Sequence, residues 1–195
     1  MVGQEESEMW DNPSMSPFHT RNGDDGKTGV LGEDRLPKYH PRLETLGALD
    51  EASAALGLAR ALCRDPQTGQ LLVEVQRDLY ALMSEVSATP ENAQRFRTLG
   101  PLRLEWLESQ LEALEQKTRL PEEFILPGDS LPGAALSLAR TVVRRAERRV
   151  AELLDKGEIE NPLLLHYLNR LSSLCFTLEL LENQSAGRET KLAKK

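Results

Sequence analysis

Five stretches between residues 42 and 183 return an apolar residue every three or four positions, and proline, glycine or both stand between them. That spacing lines one face of an α-helix, and proline interrupts the helical hydrogen-bond ladder. The first stretch, roughly 42–63, follows Pro41 and carries Leu46, Leu49, Leu56, Ala59 and Leu62 near one side. The second, roughly 68–88, carries Leu72, Val75, Leu79, Leu82 and Val86, and Pro90 closes it. Pro101 opens the third, roughly 101–118, with Leu104, Leu107, Leu111 and Leu114. Residues 119–130 hold Pro121, Pro127 and Gly128 and read as a loop. The fourth runs over roughly 131–155, with Gly157 just beyond. Asn161 is placed to cap the fifth, Pro162 to open it, and it ends near 183. Helices of this length joined by Pro-containing loops must fold back on one another. The expected fold is therefore all-α, a five-helix bundle with an irregular segment ahead of it.

The domain reading follows from the same pattern. Residues 1–17 lack periodicity and read as a disordered extension, 18–183 as the helical domain, and 184–195 as a polar, frayed tail. Aromatic residues are only 5% of the chain, so Leu, Ala and Val must fill the core. A formal net charge of -7 argues against a surface built for nucleic acid or an anionic membrane. Any anionic ligand then needs a local basic cluster. No apolar run approaches the ~18 residues of a membrane span. Cys63 and Cys175 both fall within apolar helical patterns, which suits free thiols in a reducing, cytoplasmic setting.

The strongest candidate for such a cluster is Ala139-Arg140-Thr141-Val142-Val143-Arg144-Arg145-Ala146-Glu147-Arg148-Arg149 on the fourth helix. At 100° per residue, Ala139, Val142, Val143, Ala146, Val150 and Leu153 form the apolar stripe. Arg140, Arg144, Glu147 and Arg148 share a flank beside it, whereas Arg145 and Arg149 point further round toward solvent. Guanidinium groups suit a triphosphate because their fixed pairs of donors match its oxygens. A solvated face held by i,i+4 pairs explains the same residues without a ligand. The glycine-rich run from His19 through Thr20, Arg21, Asn22, Gly23, Lys27 and Thr28 to Gly29 offers backbone N–H groups and side-chain donors to an anion. It lacks the spacing of a Walker loop and also reads as turn material. Asp50 interrupts the first helix and either faces solvent or needs a cation, for which Arg140 is suited. On the fifth helix Asn169, Ser173 and Phe176 share a face beside the stripe of Leu164, Leu168, Leu171, Cys175 and Leu178. His19, His40 and His166 lack metal-ligand spacing.

Taken in order, these segments resemble the PduO-type cobalamin adenosyltransferase family. The markers are Thr20-Arg21-Asn22-Gly23-Asp24-Asp25-Gly26, Arg35-Leu36-Pro37-Lys38, Gly47-Ala48-Leu49-Asp50-Glu51, Gln76-Arg77-Asp78-Leu79, Phe124-Ile125-Leu126-Pro127-Gly128, Ala139-Arg140-Thr141, Arg144-Arg145-Ala146-Glu147-Arg148 and Asn169-Arg170-Leu171-Ser172. Asn22 stands where that family usually has Thr, Ser173 where it has Asp, and Glu179-Leu180 where it has Ala-Arg. The tail carries no aromatic residue.

The resemblance implies a homotrimer with active sites between subunits. Its reaction moves the 5′-deoxyadenosyl group of ATP to the cobalt of cob(I)alamin, with Mg²⁺ accompanying the nucleotide. It assigns Thr20, Arg21, Asn22, Gly23, Thr28, Gly29 and Lys38 to wrapping ATP, with Arg144, Glu147, Arg148 and Asn169 completing that site. Asp50 and Arg140 would pair across a subunit interface beside the corrinoid, and Phe124 would press on the lower corrin face. A cob(II)alamin reductase and a B12-dependent client enzyme are partners that such chemistry admits. The departures at Ser173 and in the tail motivate the alternative, a non-catalytic carrier or sensor that binds ATP or corrinoid.

Overall fold

The computed structural model describes residues 21–32 and 35–194. Thr20, and the expectation placed on residues 1–17, lie outside the described residues. The five long helices expected from periodicity are present: α1 (Pro41–Leu62), α2 (Pro66–Ser87), α4 (Pro101–Glu115), α5 (Leu131–Asp155) and α6 (Leu163–Ser185). Two further features stand beside them among the described residues. A short helix α3 (Pro90–Phe96) occupies what reads as a loop after Pro90. Strands β1 (Lys27–Gly29) and β2 (Arg35–Pro37) pair antiparallel in the N-terminal segment, with Thr28 opposite Leu36.

Local chemistry sets where the helices start. The Asp65 carboxylate accepts from the N–H groups of Gln67 and Thr68 at the head of α2. Ser130 Oγ accepts from Gly133 N–H at the head of α5. Asn161 Oδ1 accepts from Leu163 N–H at 3.1 Å, so it caps α6 from one residue further back than expected. His40 caps α1, its Nδ1 accepting from Arg42 N–H at 3.2 Å. Proline at the first or second position of α1 to α5 removes an N–H that no helical carbonyl could satisfy.

α5 packs between α1 and α6, α2 lies on α1, and α4 lies on α6. Leu49, Leu56, Leu79, Leu136, Val143, Leu153, Leu168 and Leu178 are among the fully buried side chains of the resulting core. α4 buries only Leu107 completely, so it is the most peripheral of the long helices.

A buried guanidinium fixes the end of the bundle that carries the hairpin. Arg42 is 5% exposed. It donates to the carbonyls of Val86 and Ala88 at the end of α2, and to the carbonyl and carboxylate of Glu158 beyond α5. The chain after β1 docks on the same corner: Leu31 N–H donates to Ser87 O and Thr89 N–H to Leu31 O. The tail is tied down as well, in contrast to the expected fraying, because Lys191 and Ala193 hydrogen-bond to the loop between α4 and α5.

Candidate active site

Two adjoining cavities follow the seam between α5 and α6. The larger, about 750 Å³, lies under the loop between α4 and α5. Leu120, Phe124 and Ile125 border it from that loop, Arg140 and Arg144 from α5, and Ser173, Phe176 and Leu180 from α6. Phe124 is 87% exposed, and among the described residues no packing of its own ring accounts for a phenyl group held at a cavity mouth. The smaller cavity, about 360 Å³, is bordered by Arg144, Glu147, Arg148, His166, Asn169 and Arg170. Arg144 borders both.

The flank read from helical arithmetic is thus the wall of a cavity, and helix geometry explains why. Arg144, Glu147 and Arg148 lie three and four residues apart and stack along one side of α5. Asn169 comes from α6 and donates to Glu147 Oε1 at 2.9 Å, while Arg170 donates to Asn169 Oδ1 at 2.9 Å. Glu108 on α4 accepts from Arg170 Nε at 2.9 Å. The chain Glu108–Arg170–Asn169–Glu147 therefore orients the amide and the carboxylate. Arg144 stays largely uncommitted, with Glu147 3.9 Å away. Arg145 is exposed, as expected, and pairs at the surface with Glu51 on α1. Arg149 pairs along its own helix with Glu152.

Arg140 and Asp50 are not joined by an ion pair among the described residues. Asp50 is exposed on α1, and Arg140 Nε is buried without a hydrogen-bond partner. The nearby charge that sequence reading missed is Glu179, 1% exposed on α6, with Oε1 also unpartnered. Burial pushes its carboxyl above the ordinary 4.5, against the pull of Ser137 and Arg140. Burial likewise pushes the Cys175 thiol up to about 12, which suits packing and not nucleophilic work.

The N-terminal hairpin holds its own shape. Arg35 grips the Asp25 carboxylate at 2.9 Å and also donates to the carbonyls of Asn22 and Lys27. The N–H of Lys27, then the Arg35 side chain, hold the Asp25 carboxyl below its ordinary range. Gly26 takes φ +79, a left-handed turn residue. The Lys38 ammonium lies so close over Gly23 that an added Cβ would stand 2.9 Å from Nζ. Gly23 and Lys38, fifteen positions apart in sequence, are thereby one local feature. Among the described residues, the bonds that shape the hairpin run within residues 21–38 and onto Ser87–Thr89. They do not reach Arg144, Glu147, Arg148 or Asn169. The structure thus gathers Arg144, Glu147, Arg148 and Asn169 at one cavity, and Arg140 and Phe124 at the next. It gathers Arg21, Asn22, Gly23, Thr28, Gly29 and Lys38 separately, in the hairpin region.

A profile of the family described as cobalamin adenosyltransferase matches residues 18–182. The chain belongs to the cobalamin adenosyltransferase family. Corrinoid adenosyltransferase PduO of Citrobacter freundii is 34% identical over 178 residues, covering 91% of this chain and 53% of that protein. The chain spans about half the length of this relative and of the PduO protein of Salmonella typhimurium. The corrinoid adenosyltransferase of Mycobacterium tuberculosis is 38% identical, over 87% of this chain and 90% of its own. Among solved structures, a variant PduO-type ATP:corrinoid adenosyltransferase from Lactobacillus reuteri complexed with cobalamin and ATP superposes with a TM-score of 0.83. It is 29% identical, over 91% of this chain and 96% of that one.

The family's bundle is therefore the setting for both cavities. Among the described residues, no group of three or more His, Cys, Asp or Glu side chains is arranged to hold a metal ion. Glu147, the carboxylate in the smaller cavity, is already engaged by Asn169. The donor set does not fit a protein-held Mg²⁺.

Proposed function

We propose that this chain transfers the 5′-deoxyadenosyl group of ATP to the cobalt of cob(I)alamin, giving adenosylcobalamin and triphosphate. One observation carries the reading: a cavity bordered by Arg144, Glu147, Arg148 and Asn169 adjoins a larger one bordered by Phe124 and Phe176, with Arg144 common to both. A basic wall suits the polyphosphate of a nucleotide. A larger neighbour with aromatic and aliphatic borders suits the face of a macrocycle. ATP lying in the first would present its ribose end to the second.

The chemistry follows from that placement. Cob(I)alamin is a strong nucleophile, so no protein base is needed. The cobalt electron pair attacks C5′, the C5′–O bond breaks with its electrons going to oxygen, and triphosphate departs. Alignment of two bound reactants lowers the barrier by as much as about 7–11 kcal/mol. Arg144 and Arg148 would stabilise charge growing on the leaving oxygens. Asn169 and Glu147, fixed by Arg170, would orient the nucleotide. Phe124 would occupy the lower face of the corrin and exclude a lower ligand, which makes cob(II)alamin easier to reduce.

The hairpin completes the site from a neighbouring copy in this reading, with Arg21, Asn22, Gly23, Thr28, Gly29 and Lys38 closing over ATP, together with Thr20. A homotrimer supplies such a neighbour. Its interface would let Asp50 of one copy meet Arg140 of the next, whose Nε has no hydrogen-bond partner. No helix among the described residues is long and apolar enough to cross a membrane, which is compatible with a cytoplasmic enzyme. Such an enzyme would draw on a cob(II)alamin reductase and supply a B12-dependent client.

The test is anaerobic. Purified protein is mixed with ATP and chemically reduced cob(I)alamin, and the corrinoid spectrum is followed. Loss of the cob(I)alamin band with formation of adenosylcobalamin is the expected result. ATP binding without turnover would support a carrier instead. In the same assay Arg144→Ala should lower kcat/KM for ATP by about 10- to 100-fold, the loss of one charged hydrogen bond or two. The bundle should remain folded, because Arg144 is half exposed and, among the described residues, makes only the one long ion pair.

A further inference from the structure

Among the described residues, the hydrogen bond that Phe124 itself makes to the tail is through its backbone. Its segment lies between α4 and α5 outside any helix, and its ring is exposed. What fixes it is the chain 65 to 69 residues later. Leu126 N–H donates to Lys191 O at 2.8 Å, and Ala193 N–H donates to Phe124 O at 2.7 Å. Ile125 and Leu192 face each other between these bonds as an antiparallel bridge. Beyond the bridge, Gly128 turns the chain at φ +117, a conformation that L side chains rarely adopt. That turn delivers Asp129, whose side chain is only 5% exposed. Its Oδ2 accepts from Lys191 N–H at 3.0 Å, and Oδ1 lies 3.5 Å from Lys191 Nζ. Asp129 immediately precedes Ser130, the N-cap of α5. The tail is thereby tied to a rigid helix at one point and to both sides of Ile125 at two others.

We propose that residues 191–193 form a clasp, anchored by Asp129, that holds Phe124 at the mouth of the larger cavity and so sets corrinoid affinity. Asp129 is a positioning residue in this scheme: it touches the tail and not the corrinoid. The proposal rests on the reading of the larger cavity as the corrinoid site. Three bonds made by one tail segment remove most of the freedom of the Phe124 backbone. An exposed aromatic ring can then meet a flat ligand without ordering its loop at the moment of binding.

Three single variants of the full chain test it. Ala193→Pro removes the N–H that Phe124 O accepts. Asp129→Ala removes the anchor. Asp129→Asn retains an oxygen acceptor for Lys191 N–H. KM for cob(I)alamin, KM for ATP and kcat are measured in parallel, with amide hydrogen exchange at residues 124–126. The expected result is a KM for cob(I)alamin raised about tenfold in Ala193→Pro and Asp129→Ala, KM for ATP within about twofold, and faster exchange at Leu126. Asp129→Asn should recover most of the loss. Faster exchange at Leu126 with an unchanged corrinoid KM would overturn the proposal, leaving the clasp a purely structural tie. Equal rises in both KM values would also overturn it, since they report general loosening. No turnover by the unsubstituted protein would instead sink the reading of the cavity, and the role of the clasp with it. Ala193 is exposed, so its replacement does not threaten the core.

Discussion

Glu179 is a carboxylate buried among the hydrocarbon side chains of the bundle. It follows Leu178 on α6, is 1% exposed, and has one oxygen without a partner. Burial raises its proton affinity above the ordinary 4.5, outweighing Ser137 and Arg140, which pull the other way. The folded state therefore binds this proton more tightly than the unfolded chain. As pH rises through 4.5 toward the raised value, the folded protein loses stability on this account. Glu179→Gln removes that loss. The variant should melt higher than the parent at neutral pH, and the gap should close as pH falls toward 4.5. A melting series across that range checks it, and a variant that melts lower at neutral pH would show that the charge is held by Arg140 after all. Individual residues were unevenly legible. Arg144, Glu147 and Arg148 were readable because 100° per residue fixes their common side, whatever packs against them. Glu179 and Arg42 were not, since both owe their roles to groups on other elements: Arg140 for the first, the carbonyls of Val86 and Ala88 for the second.

At the level of elements, the five long helices were readable because each buries a stripe at helical spacing. The short helix Pro90–Phe96 buries no residue, so periodicity had nothing to report there. The strands Lys27–Gly29 and Arg35–Pro37 are three residues each, too short for alternation to emerge, and Arg35 holds the turn from the side. Helix α5 offers a direct check on how tightly two elements meet. Gly133, in its first turn, lies so close to α6 that a Cβ would stand 2.3 Å from Asn183 Oδ1 and 2.8 Å from Ser130 Oγ. Asn183 is 1% exposed and cannot retreat, and Ser130 is the cap of the helix. Gly133→Ala should therefore cost about 1–3 kcal/mol through overpacking. Gly69 on α2 has nothing within 4 Å of such a Cβ, so Gly69→Ala should gain about 0.5–1 kcal/mol from helix propensity alone. Denaturant midpoints of the two variants should move in opposite directions. A shared direction would contradict the close approach at Gly133.

Among the described residues of one copy, Asp50 and Arg140 do not pair with each other. Asp50 is exposed on α1, and Arg140 keeps a buried, unpartnered nitrogen. In the proposed trimer each supplies the other's need, and one copy's hairpin closes the next copy's nucleotide cavity. Asp50→Asn should then weaken self-association by about tenfold or more, as for a buried charged pair deprived of one member. Sedimentation velocity over a dilution series measures it, and association of undiminished strength would remove Asp50 from the interface. Quaternary structure was the least legible level, because a residue that meets its partner in another copy looks like any surface residue in one chain.

Arg144 forms part of the wall of two adjoining cavities. A guest that draws this guanidinium toward itself reshapes the neighbouring chamber. Thermodynamic reciprocity then requires each guest to alter the other's grip by one common factor, whichever arrives first.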